Sequence, residues 1–442
     1  MAREFNFDGI AGPTHNYAGL SRGNLASLKH GGQLSNPRAA ALEGLEKMRF
    51  IAELGVGQAV LPPHPRPDVR ALRRLGFSGS DPAVLEAAWR LEPRLLVACS
   101  SASAMWAANA ATVAPSSDTR DGRLHLTPAN LSALFHRSLE AEQTTRTLRA
   151  IFFDAERFTV HDPLPAGAYF SDEGAANHSR LVTSLGAVHV FGWGRQGFSG
   201  TPVEPRRYPA RQTQEASRAV AKLNQLTEER VLLWQQAPEG IDAGAFHSDV
   251  LCVGNDNTFL CHKSAFVDTQ SLLQTLQARL GEGLECVVAG EEDFPVHEAV
   301  ASYAFNSQLI TLPSGEMCII APVESERNAV ARRFLERVVT DWESVVAVHY
   351  IDLNSSMKNG GGPACLRLKI PLTSTERDAI SARVFFDGAL EHALKGWVAR
   401  HYRDRLGLDD LRDPELLNQV HTALDELSAL LGLGSIYPFQ GG

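Results

Sequence analysis

Five times along the chain, two small or apolar residues precede one polar or reactive residue, and a mostly apolar strand-like run follows. The stretches are AANAATVAP around Asn109, AANHSRLVT around Asn177, AFHSDVLCV around His247, AFNSQLITL around Asn306 and PACLRLKIP around Cys365. In the last, Leu366, Leu368 and Ile370 fall at every second position, the period of a strand with one buried face. Successive key positions lie 68, 70, 59 and 59 residues apart, a recurrence that reads as an internal repeat. The arrangement it predicts is a closed ring of about five similar units, each offering its key residue to the centre. Helical patterns alternate with the strands. Asn36 caps a helix that starts at Pro37 and carries Ala40, Leu42, Leu45 and Met48 on one face, with proline at the first helical position. QTQEASRAVAKLN, after Arg211, and the segment from Glu376 to Arg403 also read as helices. Strands alternating with helices give an α/β class, and no proline- or serine-rich linker divides residues 1–442, so one domain is expected.

Composition narrows the classes of function. Of 442 residues 44% are hydrophobic, enough for a large core, and the net charge of -9 without a basic run argues against nucleic acid as partner. The first twenty residues hold no apolar core flanked by positive charge, and no run approaches the roughly 18 apolar residues of a membrane helix. The six cysteines, at 99, 252, 261, 286, 318 and 365, form no CxxC pair. That usage fits reduced thiols and a cytoplasmic protein.

Two suggestive motifs fail on their context. GWGRQG, at 192–197, is a formal GxGxxG after a strand-like run. A dinucleotide site needs a helix to begin at that turn, whereas FSGTPVEPRRYPARQ follows, with three prolines. It reads as a loop. Glu291, Glu292 and Asp293 precede Pro295 and read as a solvated loop; Cys252 and Cys261 stand too isolated for a zinc pair. Neither a metal nor a cofactor is expected.

What remains is chemistry centred on Cys365, which follows NGGGPA at the mouth of its strand. Free cysteine is commonly a small buried hydrophobe; the alternative is a nucleophile kept accessible by the glycines. A nucleophilic cysteine acts as thiolate and needs activation, because the free thiol has a pKa of about 8.5. It calls for a histidine that moves protons and a carboxylate. His247 occupies in its unit the place that Cys365 occupies in its own. Asp249, two residues on, would point to the same side of a strand. Glu173, in SDEGAANH, could reach the centre from a loop. Each has a plainer alternative: a structural histidine, a surface turn at Asp172–Glu173.

Seven separated blocks then bear on the choice. GPTHNYAGLSRGNLAS, SSASAMWAANAATVAPS, FHRSLEA, DEGAANHSR, RYPARQT, FHSDV and NGGGPACLRL, in that order, closely resemble the N-succinylarginine dihydrolase family, and the likeness runs from NFDG near the start to GSIYPFQ near the end. The resemblance implies the five-bladed, pseudosymmetric α/β-propeller (pentein) fold, built from ββαβ-type repeats. It implies hydrolysis of N2-succinyl-L-arginine by two waters to N2-succinyl-L-ornithine, two ammonia and carbon dioxide, a step of arginine catabolism. Carried over by residue, Cys365 resembles the nucleophile, His247 the general acid and base, and Glu173 the third catalytic member. Asp249 resembles the carboxylate that grips the guanidinium. Substrate contacts are implied for Asn109, His136, Arg137, Arg211, Asn359 and the loop of Gly19, Leu20, Ser21, Arg22, Gly23, Asn24, Leu25, Ala26, Ser27 and Leu28. Arg22 departs from the apolar or aromatic residue expected after GLS. A homodimer acting on a small molecule, with no nucleic-acid or membrane partner, completes the expectation. The competing readings are a single-step guanidine-deiminating hydrolase of the same fold and a non-catalytic binding protein for arginine derivatives.

Overall fold

A computed structural model describes residues 2–441. Fifteen strands form five three-stranded sheets. Strands β1 (Arg3–Gly9) and β2 (Gly57–Leu61) open the chain. Next come β3 (Ala111–Ala114), β4 (Leu124–Pro128) and β5 (Phe158–Val160), then β6 (His178–Thr183), β7 (Gly186–Trp193) and β8 (Val231–Gln235). The third group is β9 (Cys252–Asn255), β10 (Thr258–His262) and β11 (Glu285–Ala289). The fourth is β12 (Gln308–Thr311), β13 (Met317–Pro322) and β14 (Val345–Ile351), and β15 (Arg367–Leu372) stands last.

Every sheet has the same connectivity. Its first strand pairs antiparallel with the second and its second pairs parallel with the third. The parallel step needs a crossover, supplied by the helices Pro37–Glu53, Ala141–Ile151, Gln214–Leu223, Thr269–Leu280 and Ala329–Asp341 in turn. These are five ββαβ units, the pentein propeller. One blade is discontinuous in sequence: β15 pairs with β1, Phe7 opposite Leu368 and Asp8 opposite Arg367, and so closes the ring.

All five sequence repeats place their apolar run on the first strand of a blade: β3, β6, β9, β12 and β15. Among neighbouring blades β6 meets β9, β9 meets β12 and β15 meets β3, so these are the strands that line the axis. The helices lie outside, where Leu45, Met48, Trp397 and Leu424 seal the blade that joins the termini. Their starts follow local chemistry, since the side chains of Asn36, Thr213, Asp268 and Asn328 each accept a first-turn amide. GWGRQG is a strand end and loop, with no helix until Gln214. Glu291, Glu292 and Asp293 are exposed in a turn. No helix among the described residues is long and apolar enough to cross a membrane.

The helix expected from Glu376 to Arg403 is two helices. Ser374–Ala379 stops at Ile380, the chain passes β2 through a turn with Val384 O accepting from Val60 N, and Gly388–His401 starts afresh. Asp387 caps the second helix through Leu390 N at 2.7 Å. Burying Val384 against β2 outweighs continuation of the helical period.

Candidate active site

The residues at the five repeat positions, Asn109, Asn177, His247, Asn306 and Cys365, are all buried ahead of the axial strands. Their amides tie blades together. Asn109 Nδ2 donates to Glu173 O (2.7 Å), Asn177 Oδ1 accepts from Ser248 N (2.8 Å), and Asn306 Nδ2 donates to Asp249 O (3.2 Å). Replacing Asn177 with alanine strands the Ser248 amide, so unfolding in denaturant is expected to show a loss of about 1–3 kcal/mol.

His247 does not begin a strand. It is extended and leads into a 3-10 turn, Ser248–Val250, and β9 starts only at Cys252. Asp249 therefore lies in that turn, not on the same side of a strand as first read. The turn still delivers it: Asp249 Oδ2 lies 4.0 Å from Cys365 Sγ.

Asp172 and Glu173 form no surface turn. Gln212 holds them, its Oε1 taking Glu173 N (2.7 Å) and its Nε2 donating to Asp172 Oδ1 (3.0 Å). Glu173, 0% exposed, meets His247, 1% exposed, through Oε2 and Nε2 at 2.6 Å. A carboxylate only accepts. The imidazole proton is thereby placed on Nε2, and Nδ1 carries a lone pair with no protein partner.

Charge states follow from burial and neighbours. Burial opposes ionisation of Glu173, but the His247 bond and the charges of His247, Arg211 and Arg137 outweigh it and bring the acid to about 2. Burial lowers His247 to about 4, against the pull of Glu173. At neutral pH the pair is a carboxylate and a neutral imidazole. Asp249 rises to about 7 because it is buried. Burial and the Asp249 charge push the Cys365 thiol well above its usual range.

The 19–28 segment lies across the ring. Asn24 Nδ2 donates to Gly360 O (2.8 Å), Ser21 Oγ meets His136 Nε2 (3.4 Å), and Arg211 Nη2 donates to Arg22 O (3.1 Å). It is only partly a loop, because Leu25–His30 is helical behind an Asn24 cap, with Leu25 and Leu28 exposed. A void of about 20 Å³ remains among Ser21, Trp106, His136 and Asn359. The glycines before Cys365 are pressed, not loose. Gly360 has φ +89°, a Cβ there would lie 1.9 Å from Asn24 Oδ1, and one on Gly362 would lie 2.7 Å from Asn306 Oδ1.

The basic residues differ in readiness. Arg137 is already held by Glu140, Nε to Oε1 at 2.7 Å and Nη2 to Oε2 at 3.3 Å, and lies over Trp106. Arg211, over Phe246, has its nearest carboxylate oxygen at Glu173, 3.8 Å away. Asn359 spends its amide nitrogen on His15 Nε2 and Asn16 O, both at 3.1 Å. Gln212 and Asn306 are site residues that the first reading gave no task. Their signals were adjacency to Arg211 in RYPARQT and repeat equivalence to Cys365.

The sequence profile of the family described as succinylarginine dihydrolase matches residues 1–440. The chain belongs to that family. The N-succinylarginine dihydrolase of Myxococcus xanthus is 58% identical over 439 residues, covering 99% of this chain and 100% of that one. The N-succinylarginine dihydrolase of Aeromonas hydrophila is 51% identical over 440 residues, covering 99% of each. Among solved structures, AgrE in ternary complex with ornithine and NAD+ aligns with a TM-score of 0.50 and 14% identity, over 84% of this chain and 40% of that one. That distant likeness bears on the propeller alone. For a succinylarginine dihydrolase, the Cys365, His247, Glu173 and Asp249 cluster is the candidate catalytic centre.

Proposed function

We propose that this chain hydrolyses N2-succinyl-L-arginine with two waters to N2-succinyl-L-ornithine, two ammonia and carbon dioxide, through a covalent bond to Cys365. The observation that carries the reading is a buried His247–Glu173 pair, with His247 two residues before Asp249, whose carboxylate lies 4.0 Å from the Cys365 thiol, in a chain full-length similar to N-succinylarginine dihydrolases.

A guanidinium carbon is a poor electrophile, since its charge is shared over three nitrogens. Asp249 and Glu173 hold the plane by charge-assisted hydrogen bonds. The bound cation offsets the Asp249 charge that opposes the thiolate. Sγ then bonds to the guanidinium carbon as the thiol proton passes to the free lone pair at His247 Nδ1. His247 returns that proton to the departing ammonia. A water, deprotonated at Nδ1, cleaves the S–C bond and leaves the ureido compound. A second round releases the second ammonia and carbon dioxide.

Arg211 and Arg137 receive the succinyl carboxylates in this reading, each charged hydrogen bond contributing about 1.5–3 kcal/mol. At Arg137 the substrate competes with Glu140. His136, Asn109, Asn359 and the 19–28 segment frame the rest. With Cys365 only 4% exposed, substrate is admitted by release of the Asn24, Ser21 and Arg22 tethers.

Ammonia counted against succinylarginine consumed is the direct test. Two equivalents are expected; one equivalent with accumulating ureido compound instead identifies a single-step deiminating hydrolase.

The acid limb of kcat/KM gives a separate check. Asp249 must be ionised to hold a cation, and in the free protein it titrates at about 7, so kcat/KM falls as pH drops through that value. Once bound, the guanidinium stabilises the carboxylate, and the limb in kcat lies at lower pH. Coincident limbs in the two profiles exclude Asp249 from this role.

A further inference from the structure

The mechanism leaves the fourth repeat position, Asn306, without a task, although it makes more bonds around the nucleophile than any residue named so far. Asn306 Oδ1 accepts from Gly362 N at 3.0 Å and from Cys365 Sγ at 3.2 Å. Its Nδ2 donates to Asp249 O at 3.2 Å, and its carbonyl accepts from Ala364 N at 3.1 Å. The amide cannot be turned round. Gly362 N–H only donates and the Asp249 carbonyl only accepts, so the oxygen must face sulfur. An amide oxygen accepts from S–H, whereas it repels a thiolate. The contact therefore stabilises the protonated form.

We propose that Asn306 is a positioning residue that holds Cys365 as an aimed, protonated thiol until a cationic substrate reaches Asp249. The inference rests on the dihydrolase reading for its substrate but not for its geometry. The same side chain anchors the turn that carries Asp249 and the loop that carries Cys365, so thiol and carboxylate share one fixed point. The charged and titratable groups acting on the thiol are Asp249, which opposes ionisation, and at longer range Arg137 and Lys47, which favour it, with the Tyr303 hydroxyl also facing it. In the free protein the Asn306 oxygen and the Asp249 carboxylate together keep the sulfur quiet. A guanidinium arriving at Asp249 cancels one of the two. The proton then passes to His247 Nδ1 as the S–C bond forms, and the freed thiolate is repelled by the amide oxygen toward the carbon. Cys365 is thus spared reaction with stray electrophiles when no substrate is bound.

The test is alkylation of the free protein by iodoacetamide across pH 7–12, a range extended upward to follow the raised thiol, read at the Cys365 peptide by mass. Asn306→Ala is expected to lower the midpoint by about one pH unit, which makes alkylation about ten-fold faster at neutral pH. Its kcat on succinylarginine falls about ten-fold, with a smaller change in KM, because the thiol is no longer aimed. Greater access alone would raise the rate at every pH and leave the midpoint in place, and an unmoved or raised midpoint overturns the proposal. Should Asn306→Ala not fold, the S–H stretch of the wild-type protein decides, isolated by subtracting the Raman spectrum of Cys365→Ala. A hydrogen-bonded frequency supports the proposal and a free-thiol frequency overturns it. Neither readout needs turnover, so a protein that hydrolyses no succinylarginine yet shows the shift sinks the dihydrolase reading alone.

Discussion

Replacing Cys365 with alanine is expected to abolish ammonia release from succinylarginine, a loss of about a million-fold in kcat, as when the nucleophile of a covalent hydrolase is removed. The sulfur is the one atom in the centre able to bond to the guanidinium carbon and then leave it. Among the other cysteines the one near the site, Cys252, spends its thiol on Ser248 O at 3.1 Å. The variant should still bind substrate, because Asp249, Glu173 and the arginines are untouched, and titration calorimetry would record that binding without turnover. A Cys365→Ala protein retaining even a hundredth of wild-type turnover would refute covalent catalysis. Binding with no turnover in the wild type as well would instead favour a binding protein.

Glu173→Gln is expected to be nearly as damaging, about 10³–10⁴-fold in kcat, for a subtler reason. Glu173 Oε2 only accepts, and this places the His247 proton on Nε2 and the lone pair on Nδ1. A glutamine amide can donate, and His247 then accepts at Nε2 and carries its proton on Nδ1. The shape of the site survives while the base faces the wrong way, the effect known for a triad carboxylate replaced by its amide. The change also removes one of the anions that hold the guanidinium, so KM rises as kcat falls. A rise confined to KM, with kcat unchanged, would show that Glu173 binds substrate without orienting the imidazole.

The residues explain how much of this was legible beforehand. The five axial strands could be read because each announces itself locally, one polar residue followed by an apolar run, as in AFNSQLITL. Ring closure was legible only as a count of units. The pairing of β15 with β1 joins residues more than three hundred positions apart, and no local pattern encodes it. The burial of Glu173 was hidden because two adjacent acids look like a solvated turn, and the compensation comes from Gln212, about forty residues downstream. Asp249 was read to the right neighbourhood on the wrong geometry, since in a 3-10 turn it is i and i+3 that eclipse, and the i, i+2 alternation of a strand does not apply there. The break at Ile380 had a signal in Asp387–Gly388, a helix start lying within an apparently continuous helical period. The glycines of NGGGPACLRL suggested freedom of motion. They instead allow Asn24 and Asn306 to approach within distances that a side chain would forbid.

The blade that unites β15, β1 and β2 has a consequence for biosynthesis. β1 leaves the ribosome ahead of the other strands and waits for its antiparallel partner while more than three hundred further residues are made, since β15 begins only at Arg367. The other four blades can form in order as they emerge, but Cys365 sits just ahead of the last strand to arrive. A nascent or prematurely terminated chain therefore carries folded blades and no nucleophile. Pairing across so long a separation is intrinsically slow, so catalytic competence should lag behind secondary structure during refolding. The reactive sulfur comes into being with the closed ring and not before it.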